Sequence, residues 1–205
     1  MTVKVAVLAS GRGSNFRALL ESIKAGKCDA QVRVLITNNP DAPAIGFAKQ
    51  AGLPVEIVQR KDFPDRGAMD DRIKALLDKY SAELVVLAGY MLLLKGKMLL
   101  EAYRHRIINI HPALLPSFPG VDAQKQAYDY GAKISGLTIH FVDEHLDAGP
   151  VIYQEAVDIS DCRSADEVGK KILAREHEAY AKVVDSFSKG SYAIDGRHVR
   201  YVSRR

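Results

Sequence analysis

The sequence predicts an α/β protein with a doubly wound, open and mostly parallel sheet, followed by an α+β portion. Three observations predict it. Short β-branched runs recur through the first 110 residues and are nearly continuous in hydrophobicity, as strands buried on both faces should be. Amphipathic stretches lie between them, and strand–helix alternation implies βαβ units. Beyond residue 110 the alternation gives way to prolines and then to two adjacent strand-like runs.

In chain order, Val3–Ala9 reads as the first strand, followed by a glycine-containing loop and a helix over Asn15–Lys24. Val32–Thr37, Pro54–Val58, Leu84–Ala88 and Ile107–Ile110 are the further strands of this half. Ala42–Ala51 reads as a helix. So does Arg66–Tyr80, where Met69, Ile73, Leu76, Leu77 and Tyr80 recur at helical spacing. His111–Gly120 holds Pro112, Pro116 and Pro119 and must be irregular. A short helix over Asp122–Tyr130 follows. Ile134–Val142 and Val151–Val157 are strands joined by the turn-rich Asp143–Pro150. Ser164 is a helix N-cap with Glu167 as capping-box partner, opening a helix that runs to about Phe187. The tail Ser191–Arg205 reads as short and peripheral. No repeat, low-complexity tract or linker divides the 205 residues, so one domain is expected, changing character near residue 110.

Composition narrows the function. Hydrophobic residues make up 47% and charged residues 26%, which is ordinary globular usage. Cys28 and Cys162 are too few for a disulfide scaffold, and no Cys/His spacing fits zinc. The net charge of +4 comes partly from the tail (Arg197, Arg200, Arg204, Arg205) and forms no basic stripe, so no nucleic-acid partner is expected. Mild positive charge suits anionic small substrates. No apolar run is long enough to span a membrane or act as a secretory signal, so a cytoplasmic protein with reduced thiols is expected.

Two segments carry chemistry. Ala9-Ser10-Gly11-Arg12-Gly13-Ser14-Asn15 joins the first strand to the first helix, where free N–H groups and the helix dipole suit phosphate. It is not a Walker loop, because no Gly-Lys-Ser/Thr follows. It is not GxGxxG either, because Phe16 stands at the third glycine. A small phosphorylated substrate fits better than a dinucleotide. Asn109 and His111 lie two apart on a strand and so share a face at its carboxyl end. Asn supplies an oxyanion donor, and His an acid or a charged donor. A carboxylate from the loop 143–150 would orient and charge the imidazole; pattern alone does not choose among Asp143, Glu144 and Asp147.

Taken together these blocks resemble the glycinamide ribonucleotide formyltransferase family of purine biosynthesis. The most specific is Asn109-Ile-His-Pro-Ala-Leu-Leu-Pro-Ser-Phe-Pro-Gly120. The others are Ser10–Asn15, Leu87-Ala-Gly-Tyr-Met91, His140-Phe-Val-Asp-Glu144 and Asp147-Ala-Gly-Pro150, in matching order over nearly the whole chain. The resemblance implies a Rossmann-like formyltransferase fold and formyl transfer from 10-formyltetrahydrofolate to the amine of glycinamide ribonucleotide, with no metal. It implies a catalytic trio of Asn109, His111 and Asp147. Gly13, Ser14 and Asn15 would hold phosphate and ribose, and Glu176 would contact the glycinamide part. Met91, Leu92, Leu93 and Leu94 would line the folate pocket, with Lys61, Asp143, Glu144 and Asn109 beside the folate. Residues 1–110 would then be the phosphate-binding half, and 111–205 the catalytic and folate half with the C-terminal helix. Leu92 stands where arginine is common in relatives, and Gln124 where several have histidine, so Gln124 is given no role. Leu115–Pro116 is expected to be cis on the same basis.

The alternatives are a formyltetrahydrofolate hydrolase, another amine formyltransferase, and a non-catalytic folate- or nucleotide-binding module. The joint presence of Asn109, His111 and Asp147 argues against the last. Nothing in the pattern separates a monomer from a homodimer.

Overall fold

The computed structural model describes residues 2–204. Nine strands and six α-helices alternate along them. They are β1 (Val3–Leu8), α1 (Ser14–Lys24), β2 (Ala30–Thr37), α2 (Ala44–Gln50), β3 (Val55–Ile57), α3 (Arg66–Lys79), β4 (Leu84–Leu87), α4 (Lys97–Ala102), β5 (Ile107–His111), α5 (Ala123–Tyr130), β6 (Ile134–Phe141), β7 (Val151–Asp158), α6 (Ala165–Lys189), β8 (Gly190–Asp195) and β9 (His198–Ser203). A seven-stranded sheet has the order β3-β2-β1-β4-β5-β6-β7. β1 to β5 run parallel, and β6 and β7 add antiparallel.

The continuous apolar runs are explained by burial on both faces. In β1, Val5 and Val7 join one core while Ala6 and Leu8 join the other. In β4, Leu84 and Val86 oppose Val85 and Leu87 in the same way. One core is closed by α1, α2 and α6 through Phe16, Leu19, Ala44, Ile172 and Tyr180. The other is closed by α3 through Met69, Ile73, Leu76 and Leu77. These are the residues whose helical spacing marked α3 in the sequence.

At α6, Ser164 Oγ accepts from Glu167 N at 3.2 Å, as a capping residue should. The Glu167 carboxylate reaches back to Arg163 N at 2.7 Å rather than to the cap's own N–H. Ser164→Ala is expected to cost about 1 kcal/mol and lower the melting temperature by about 2–4 °C, read by calorimetry.

The tail, read as short and peripheral, is a hairpin: β8 and β9 pair antiparallel around a turn with Gly196 at φ 56°. Tyr192 from this hairpin packs on Phe141 and Phe187. The alternation Tyr192, Ile194, Val199, Tyr201 carried that signal. The helix α4 also went unanticipated; it is six residues long and buries Leu99 alone, too little for a periodic pattern.

Candidate active site

The strand order reverses at β1, which has β2 on one side and β4 on the other. In open α/β sheets, ligands bind outside the carboxyl ends of strands near such a reversal. The loops after β1, β4 and β5 all emerge there. Ser10 ties the loop after β1 to those after β2 and β4: its hydroxyl donates to Asn38 Oδ1 at 2.6 Å and accepts from Met91 N at 2.9 Å.

β5 ends in Asn109-Ile110-His111, and its outward partner β6 sets His140 opposite Asn109. His111 is 4% exposed. Its Nε2 lies 2.8 Å from the Phe118 carbonyl oxygen, so Nε2–H donates. Its Nδ1 faces Asp147 Oδ2 at 3.4 Å. Both ring nitrogens therefore face oxygen acceptors, and both contacts are hydrogen bonds only when each nitrogen carries a proton. Asp147 Oδ2 also accepts from Gly120 N at 2.8 Å, and Asp147 sits in the left-handed region at φ 50°. Gly149 makes that placement possible, because a Cβ there would land inside the Phe141 carbonyl.

His140 is a site residue that sequence reasoning passed over, although it opens one of the quoted blocks. Its Nδ1 donates to the Phe141 carbonyl at 2.8 Å, leaving Nε2 to accept from Asn109 Nδ2 at 3.3 Å. Burial pushes this imidazole below the usual histidine range, which keeps Nε2 an acceptor. The amide of Asn109 is thereby oriented with its second hydrogen free. Acid reverses the arrangement: protonated His140 would oppose a donor to a donor. Its contribution to stability is accordingly lost as pH falls below the ordinary histidine value, because the unfolded chain takes the proton first. Turnover is expected to hold through neutral pH and fall on the acid side, with the acid limb altered in His140→Ala; a pH–rate profile reads both.

A cavity of about 520 Å³ joins these groups. Asn109, His111, His140 and Asp147 line one side, and Met91, Leu92, Leu93 and Leu94 the other. Met91, Val121 and Leu146 are exposed at its edge. A second cavity of about 340 Å³ lies beside it, with Asp122 lining both. Arg12, Gln124, Lys125 and Lys170 line the second.

The glycine loop meets α1 at Gly13, whose φ of 68° and contact with Ala44 leave no room for a side chain. The N–H groups of Ser14, Asn15 and Phe16 have no preceding helical carbonyl to bond. Asn15 Nδ2 donates to Glu176 Oε2 at 2.9 Å, tying α1 to α6. Glu176 is buried, and burial pushes its carboxyl above the usual range. Lys61 lies exposed in a 3₁₀ turn after β3, and neither it, Asp143 nor Glu144 lines a cavity described above. Asp143 instead accepts from His145 N at 2.8 Å. The peptide Leu115–Pro116 is cis. Cys28 is buried away from both cavities, and its thiol is pushed up to about 12, chiefly by burial.

The described residues contain no helix long and apolar enough to cross a membrane. The family model described as formyl transferase matches residues 3–184. The chain is 40% identical to phosphoribosylglycinamide formyltransferase of Bacillus subtilis over 181 residues, 88% of this chain and 92% of that one. It is 34% identical over 191 residues to the human trifunctional purine biosynthetic protein adenosine-3, of which it spans 19%. Glycinamide ribonucleotide transformylase 1 of Symbiobacterium toebii superimposes with a TM-score of 0.94 at 38% identity, covering 98% of this chain and 95% of that one. The phosphoribosylglycinamide formyltransferase structure from Bacillus halodurans gives a TM-score of 0.86 at 41% identity, covering 90% and 94%. The chain belongs to the formyl transferase family, in its phosphoribosylglycinamide formyltransferase branch.

Proposed function

We propose that the chain transfers a formyl group from 10-formyltetrahydrofolate to the primary amine of glycinamide ribonucleotide, with Asn109, His111 and Asp147 as the catalytic trio. One observation carries this reading: an amide and an imidazole from one strand tip, with a carboxylate against the imidazole, open on a single cavity. That cavity suits the faces of a flat heterocycle, since the segment Met91–Leu94 lines it with Val142 and Leu146. Met91, Leu92, Leu93 and Leu94 would hold the folate, which supplies a formyl carbon activated on nitrogen.

Amine attack on that carbon puts negative charge on the formyl oxygen. The free amide hydrogen of Asn109 is a fixed donor for it, already oriented by His140. His111 would serve as a second donor by exchanging the Phe118 carbonyl for the oxyanion, while Asp147 holds the ring from its other nitrogen. In this reading residues 1–110 contribute the phosphate loop and Asn109, residues 111–205 contribute His111 and Asp147, and the folate wall is shared between them. Gly13, Ser14 and Asn15 bind phosphate and ribose through helix N–H groups. Glu176 sets the orientation of Asn15 and bounds the glycinamide end.

The assay mixes the protein with 10-formyltetrahydrofolate, with and without glycinamide ribonucleotide, and follows the folate spectrum. Product only with both substrates is expected. Product from the folate alone identifies a hydrolase, and product in neither mixture a binding module. Ser14→Ala and Asn15→Ala are expected to raise KM for the ribonucleotide more than they lower turnover. Equal effects on a phosphate-free analogue would contradict the phosphate role.

A further inference from the structure

Asp70 on α3 is fully buried, yet nothing in the chemistry above uses it. Its Oδ2 accepts two backbone hydrogen bonds, from Lys95 N at 2.6 Å and Gly96 N at 2.7 Å. Its other oxygen, Oδ1, is buried without a partner among the described residues. One turn earlier on the same helix face, Arg66 donates to the carbonyl of Leu93 and contacts Met69 Sδ. Gly96 packs against the carboxylate so closely that a Cβ there would stand 2.5 Å from Asp70 Cβ. The cavity wall Met91–Leu94 has no regular secondary structure of its own. Its far end is therefore fixed by these α3 side chains, and its near end by the bond from Met91 N to Ser10.

We propose that Asp70 is a positioning residue for the folate wall, holding the backbone of residues 93–96 so that Met91–Leu94 keeps the shape the co-substrate needs. This rests on the reading of that cavity as the folate site. A carboxylate suits the task because one oxygen can take two N–H groups at once, and charge strengthens both bonds. Without it, two buried N–H groups lose their acceptor and the segment must move to find another.

The test compares Asp70→Ala and Asp70→Asn with the parent chain, with kinetics for both substrates, calorimetric binding of tetrahydrofolate, and melting curves. Asp70→Asn keeps an acceptor oxygen and should bind tetrahydrofolate within about threefold of the parent. Asp70→Ala should weaken tetrahydrofolate binding and raise KM for the formyl donor about tenfold or more, with KM for the ribonucleotide changed less than about twofold. If Asp70→Ala does not fold, Gly96→Ala pushes the same two groups apart and should give the same split. A folded Asp70→Ala chain with parental folate affinity overturns the proposal. So does an equal loss for both substrates, which would mark general disruption. A parent chain that binds no tetrahydrofolate would overturn the folate reading itself.

Discussion

Asn109→Ala is expected to lower turnover by roughly 10²–10³-fold, the usual cost of losing one preorganised oxyanion donor. KM for the ribonucleotide should change little, because the phosphate loop lies on α1 and not on β5. The size of the effect follows from preparation. Asn109 Nδ2 already donates to His140 Nε2 at 3.3 Å, so the amide needs no reorientation as charge develops. His111→Ala should cost as much or more, since the same change empties the contacts to Phe118 and Asp147. Steady-state kinetics with each substrate varied in turn checks both. A fully active His111→Ala protein would remove the imidazole from the mechanism.

Asp147→Asn should also lower turnover by about 10²-fold or more with little change in fold. The asparagine oxygen can still accept from Gly120 N, so the loop keeps its anchor. What is lost is the negative charge 3.4 Å from His111 Nδ1. The oxygen that keeps Gly120 N is the one that faces Nδ1, so the amide nitrogen takes the Oδ1 place, 3.8 Å from His140 Nε2. Nitrogen-resolved NMR of the histidines would read the loss directly: the His111 signals should shift as turnover drops. Unchanged His111 signals with lost turnover would show that Asp147 does not act through that ring.

The contribution of His140 could not be weighed from sequence. It sits 31 residues from Asn109, and only the antiparallel pairing of β5 with β6 brings the two side chains together. The same holds for Asp70, which reads as one more polar position in an amphipathic helix until Lys95 and Gly96 are seen to converge on it. Arg197 in the terminal hairpin donates to the Ala148 carbonyl at 2.9 Å, beside Asp147, and no local pattern hints at it.

The sequence by itself determined the five parallel strands and the helix faces that cover them. Hydrophobic period and turn chemistry are local, and each can be read within a dozen residues. It also placed Asn109 and His111 on one face of a strand tip, since a strand's side chains alternate. Residue pattern leaves Asp143, Glu144 and Asp147 open and the family resemblance names Asp147; the tertiary structure is what sets Asp147 against His111. That placement depends on how the loop 143–150 threads past Phe141 at Gly149, and on the left-handed turn at Asp147. Contacts between groups far apart in the chain are set by the packing of the whole sheet, and no short window of residues encodes them.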